Sequence, residues 1–184
     1  MTRKLGRSEI EVSAIGMGCW AIGGPAFRDE TPVGWGEIDD SESARSIQHA
    51  IDNGVTFFDT ADVYGAGHSE RVLGITVKPV RDRVVIASKF GNTFDEATRK
   101  LTGSNTDADY IRSACDASLV RLQTDYIDLY QLHVGNLPFE QVDDVLAVLE
   151  ELVTAGKIRA YGWSTDDAER ARAFARGEHC ASAQ

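Results

Sequence analysis

Short, nearly continuous apolar runs alternate along the chain with amphipathic stretches. The runs at 14–18, 55–58, 84–88, 127–132 and 158–162 show no in-out alternation. That is the pattern of a parallel strand covered on both faces, where both sides of the pleat must be apolar. Between them, 41–53 places Ala44, Ile47 and Ile51 on one helical stripe, and Gly54 is suited to the turn that closes a helix. Residues 107–122 repeat the pattern with Ile111, Cys115, Leu119 and Leu122. Pro138 suits a first helical turn; Phe139, Val142, Leu146, Leu149 and Val153 then follow at helical spacing up to Gly156. Residues 166–176 form a weaker helix ending at Gly177, and 3–5 with 11–13 read as an N-terminal hairpin. Strand and helix alternate about five times, which predicts a parallel α/β fold.

The connections are lopsided. Helix-to-strand links are short, at 53–54, 123–126 and 155–157, whereas the strand-to-helix links 19–40 and 90–106 are long, against a typical loop of about 4 to 6 residues. Long loops on one rim predict a (β/α)8 TIM-barrel type, with the site at the C-terminal ends of the strands. A complete barrel takes about 250 residues. The 184 residues hold five units and the opening of a sixth strand at 180–184, so the expectation is one incomplete barrel domain over 1–184. An arc of five strands has unpaired edges and an uncovered apolar inner face. Either the chain is part of a longer protein, or something else covers that face, self-association included.

Composition narrows the class. With 42% hydrophobic and 26% charged residues the sequence belongs to an ordered, soluble protein rather than a disordered one. A net charge of -10 argues against nucleic acid as a partner. Cys19, Cys115 and Cys180 are an odd count without C-x-x-C, which argues against disulfides and zinc. The four histidines form no H-E-x-x-H, so no metal is expected. No run could span a bilayer, and the first residues lack an apolar signal core, so a cytoplasmic location is expected. Gly16, Gly18 and Ala21 match G-x-G-x-x-A, but Gly23-Gly24-Pro25 breaks the helix that a Rossmann turn requires.

Three predicted strands end in an ionisable residue: Asp59, Lys89 and His133; Tyr64 follows five residues after Asp59. Singly, such a lysine snorkels to solvent and such a histidine is structural. Together at one mouth they are expensive to bury unless paired and used. A phenol titrates near 10 and is a poor catalyst at neutral pH, but an adjacent ammonium stabilises its phenolate and a carboxylate holds the ammonium. Such a group protonates a carbonyl oxygen while the carbon receives hydride. None of the four donates hydride, which implies a nicotinamide cofactor.

The segments FDTADVYGAGHSERVLG (58–74), VVIASKFG (84–91), DYIDLYQLH (125–133) and GKIRAYGWS (156–164) resemble the signature segments of the aldo-keto reductase family. The resemblance implies that Asp59, Tyr64, Lys89 and His133 are the catalytic tetrad, with Tyr64 as general acid/base. It also implies an extended NADP(H), more often than NAD(H), bound without a Rossmann domain. Cys19 and Trp20 fall where the first strand meets cofactor and substrate, beside Tyr64 and His133. Asp59, Ser164, Thr165 and Gln184 are expected at the cofactor, Thr165 standing where the family often has Asn. Trp35 and Trp163 are candidates for the substrate pocket; of Trp163 and Ser164, one should face into the barrel and the other away. The reaction implied is reduction of an aldehyde or ketone to an alcohol. The alternative is an inactive partial barrel that binds nucleotide or another protein; a cofactor-free isomerase or lyase has no positive support.

Overall fold

The computed structural model describes residues 1–184. The chain opens with the antiparallel hairpin β1 (Thr2–Lys4) and β2 (Glu11–Ser13), followed by β3 (Gly16–Gly18), β4 (Phe27–Arg28), β5 (Thr31–Pro32) and α1 (Asp40–Asp52). Next come β6 (Phe57–Asp59), α2 (His68–Val77), β7 (Val85–Phe90), β8 (Asn92–Asp95), β9 (Lys100–Ser104) and α3 (Ala108–Leu122). β10 (Ile127–Leu132), α4 (Val142–Thr154), β11 (Ile158–Trp163), α5 (Ala168–Phe174) and β12 (Cys180–Ala183) follow. Six strands form one parallel sheet in the order β3-β6-β7-β10-β11-β12, so each strand pairs with the next of its kind along the chain. This is the arc of an incomplete (β/α) barrel, as the lopsided connections predict.

The local signals act where expected. The Asp39 carboxylate accepts from the Ser41 and Glu42 amides at the start of α1, and Asp167 does the same for α5. Gly54 takes a left-handed φ of 83° after α1. On β7, Ile86 and Phe90 face the helices, where Phe90 stacks on Tyr130 at 4.6 Å. Val85 and Ala87 face inward with Leu129 and Ala160. The helix-facing core holds 30 buried side chains and carries most of the buried apolar surface.

The inner face is not left bare at its lower end. Ile10 and Val12, with Leu5, pack from the hairpin against Val85, Ala87, Leu129 and Ala160. The hairpin is tied at both sides of the arc. The Ser13 amide donates to Thr56 Oγ1 at 2.9 Å, and Arg7 donates to the carbonyls of Cys180, Ala175 and Gly177.

Three further features depart from the sequence pattern. The long stretches 19–40 and 90–106 are not simple loops: β4, β5, β8 and β9 form a second sheet in the order β5-β4-β9-β8. Their strands are short and mostly exposed, so no apolar periodicity announces them. Helix α2 was also hidden, because it buries Ser69 and Glu70 alongside Val72, Leu73 and Val77 and contains Gly74. Finally, Trp163 faces the helices, fully buried against Phe174, and is no part of a substrate pocket. Strand alternation therefore turns Ser164 toward the inside of the arc.

Candidate active site

The inward rows of the adjacent strands run Phe57-Asp59, Val85-Ala87-Lys89 and Leu129-Gln131-His133, apolar below and ionisable at the C-terminal end. Lys89 is the centre. Its side chain is 2% exposed, and its ammonium donates to Asp59 Oδ1 at 2.5 Å, Thr60 O at 2.9 Å and Tyr64 Oη at 3.3 Å. An ammonium has three N–H donors, so every one is used, and the charge is buried with its counter-ion. The same nitrogen lies 5.0 Å from the centre of the Tyr64 ring.

His133 meets Tyr64 edge-on at 5.9 Å between ring centres. Its amide donates to Phe90 O at 2.8 Å, and its carbonyl accepts from Asn92 Nδ2 at 3.1 Å. Burial, helped by the Lys89 charge, pushes the imidazole down to about 4. The ring is therefore neutral at pH 7, with one donor and one acceptor nitrogen. Its buried Nδ1 has no partner within the chain.

Above these residues lies a cleft in two joined halves of about 400 Å³ each. Trp20, Val33, Val63 and Tyr64 wall one half, and Thr102, Ser104 and Asn136 wall the other; Arg28, Asn92, Leu101 and His133 border both. Half-exposed Trp20 leans over Tyr64 at 6.2 Å and is braced edge-on by Trp35 at 5.8 Å. Trp35 thus supports the wall without lining it. The second sheet supplies Arg28, Asn92, Leu101, Thr102 and Ser104, none of which the sequence pattern singled out.

Other sequence candidates are distributed unevenly. Cys19 is fully buried in the helix-facing core, and its thiol is raised to about 12 by burial and the Asp59 charge. Its side chain offers a cleft ligand nothing, contrary to the cofactor role expected of it. Thr165 is used locally: its amide donates to Gln184 O at 2.7 Å, and its hydroxyl accepts from the Asp167 amide. Gln184 does reach the cluster, with Nε2 donating to Asp59 Oδ2 at 3.2 Å. Gln131, overlooked in the DLYQLH segment, is buried beside it and donates to Gln184 Oε1 at 3.1 Å.

The arc of parallel strands carries this cluster at its C-terminal ends, and comparison with known proteins gives the family. The model of the Aldo/keto reductase family matches residues 14–182, and the chain belongs to that family. It is 40% identical over 167 residues to the aldo-keto reductase YhdN of Bacillus subtilis (strain 168), covering 90% of this chain and 47% of that one. The aldo-keto reductase AKR11C1 from Bacillus halodurans, a holo form, superposes with a TM-score of 0.85 at 31% identity, over 99% of this chain and 56% of that one. An aldo/keto reductase from Klebsiella pneumoniae in complex with NADP and acetate gives 0.71 at 34% identity, over 96% and 55%. The chain thus spans about half the length of the relatives it matches. No helix is long and apolar enough to cross a membrane.

The residues present fit a nicotinamide nucleotide. His133 keeps a buried Nδ1 with no partner in the chain, and the Gln184 amide reaches the cluster through Asp59. Gly18 borders open space, with no atom within 4 Å of where a Cβ would stand.

Proposed function

We propose that this protein reduces an aldehyde or ketone to an alcohol, with Tyr64 delivering the proton. The observation that carries this is the Lys89 ammonium, fully paired and 3.3 Å from the Tyr64 hydroxyl. A fixed cation beside a phenol stabilises the phenolate left when the proton moves to the carbonyl oxygen. Asp59 holds Lys89 in place, and neutral His133 donates a hydrogen bond that orients the carbonyl oxygen within reach of Tyr64. Trp20, Val33 and Leu101 exclude water around the carbon that is reduced.

A nicotinamide nucleotide supplies the hydride when bound. Ser164 and Gln184 hold its carboxamide, and Asp59 lies beside it. NADP(H) is proposed over NAD(H), in line with the NADP bound by the Klebsiella relative. The substrate is a small carbonyl compound, and the location proposed is the cytoplasm, in keeping with three free, buried cysteines. The test is Tyr64→Phe, assayed by nucleotide absorbance with an aldehyde panel. Loss of reduction with nucleotide binding retained supports the reading; full activity in the variant overturns it.

A further inference from the structure

We propose that Arg121, acting with Glu70, is a positioning residue for Tyr64: the pair sets the distance from the Tyr64 phenol to the Lys89 ammonium. The proposal rests on the reading of Tyr64 as the proton donor, and it begins from the backbone behind that residue. Gly65, Ala66 and Gly67 have successive φ values of +62°, +52° and +88°. A left-handed alanine is disfavoured sterically and persists only where its surroundings over-determine it.

Two contacts do this. On one side, Gly65 seats on the Gly23 main chain so closely that a Cβ at either position would collide with the other. On the other, a Cβ on Gly67 would lie 2.7 Å from Arg121 Cδ. The turn carrying Tyr64 is therefore threaded between the Gly23 backbone and the Arg121 side chain.

Arg121 is itself held. Its side chain is 7% exposed, and it donates from Nε to Glu70 Oε2 at 2.6 Å, from Nη1 to Glu96 Oε1 at 3.0 Å and from Nη2 to Ser118 Oγ at 3.2 Å. Glu70, fully buried, accepts on its other oxygen from Ser88 Oγ at 2.5 Å. Ser88 directly precedes Lys89 on β7 but faces the helices. One carboxylate thus fastens the strand that carries Lys89 to the guanidinium that backs the Tyr64 turn. The charges also suit their places, with Glu70 in the first turn of α2 and Arg121 in the last turn of α3. An ion pair buried among apolar helices is a weak source of stability, because an apolar pair of similar volume serves as well. What an apolar pair lacks is directed hydrogen bonding to Ser88 and a planar fork under Gly67.

That difference provides the test. Lys89 is followed in the full chain, without nucleotide, by ¹³Cε-lysine NMR, and the shift of its resonance on Tyr64→Phe reports the contact between the two groups. Glu70→Met/Arg121→Met is expected to unfold within a few degrees of the wild type, yet to cut that shift at least three-fold and lower kcat about ten-fold at unchanged nucleotide Kd. An unaltered shift in the folded double variant overturns the proposal. If the double variant does not fold, Arg121→Lys, which keeps the charge and loses the fork, decides by the same shift. Full activity of Tyr64→Phe in the wild-type background would sink the proton-donor reading alone; the resonance still judges the buttress.

Discussion

Gln184 Nε2 donates to Asp59 Oδ2 across 3.2 Å, joining residues 125 apart in sequence. An ionised carboxylate only accepts, so Gln184 must present its NH₂ there and its carbonyl oxygen to Gln131 Nε2, 3.1 Å away. Gln131 then turns its own oxygen to Ser182 Oγ, 2.9 Å away. The Asp59 charge thereby dictates the orientation of two amides, and Gln184, the residue after β12 proposed to hold the nicotinamide, is braced from β10.

Removing that brace should weaken nucleotide binding. Gln131→Leu removes one of the two side-chain hydrogen bonds that hold the Gln184 amide and is expected to raise the nucleotide Kd about ten-fold, the worth of one good hydrogen bond. Quenching of protein fluorescence by titrated NADPH measures it; an unchanged Kd would show that Gln184 needs no support.

Lys89→Met deletes the charge beside Tyr64 and leaves Asp59 without its cation. We expect kcat to fall about 10²–10⁴-fold, the range for loss of acid-base assistance, while Kd for the nucleotide changes much less. Steady-state kinetics with parallel binding measurements separate the two quantities.

His133 gives stability a pH dependence. Its folded-state value of about 4 lies below the ordinary 6.5 because burial and Lys89 oppose its charge. As pH falls below about 6.5 the unfolded chain takes up a proton that the native chain refuses, so stability drops until about pH 4 and then levels. The loss is on the order of 3 kcal/mol. Urea unfolding between pH 7 and 4 should show this slope, flattened in His133→Gln.

Gly74 sits inside α2, where alanine would ordinarily be better by about 1 kcal/mol. Here a Cβ would overlap the Leu122 main chain at the end of α3. Gly74→Ala is therefore expected to lower Tm, by about 2–4 °C for each kcal/mol lost, and calorimetry would reveal a rise instead if the helices simply separate.

Strands β7, β10 and β11 were legible because each has one dominant requirement, burial on both faces, whereas β3 is mostly exposed; 127–132 coincides with β10, and 158–162 stops one residue short of the end of β11. The four chemical residues were legible because three stand at strand ends, where the fold converges whatever the loops do. Helix α2 was not, since the Glu70–Arg121 pair lets it bury polar positions that break its periodicity. The second sheet was not, since its strands are short and mostly exposed and its two local hairpins are joined only by the distant pairing of Phe27–Arg28 with Lys100–Leu101.

By itself, then, the order of apolar runs, helical stripes and short return links determined the parallel arc and brought Asp59, Lys89 and His133 to one rim, because strand period and chain connectivity are local properties. Tertiary structure alone decided the rest. It turned Trp163 and Cys19 away from the cleft, enlisted Gln131 and Arg28, and locked the Tyr64 turn between Gly23 and Arg121. Those outcomes depend on which side chains meet across elements, and close packing between distant segments leaves no periodic trace in the sequence.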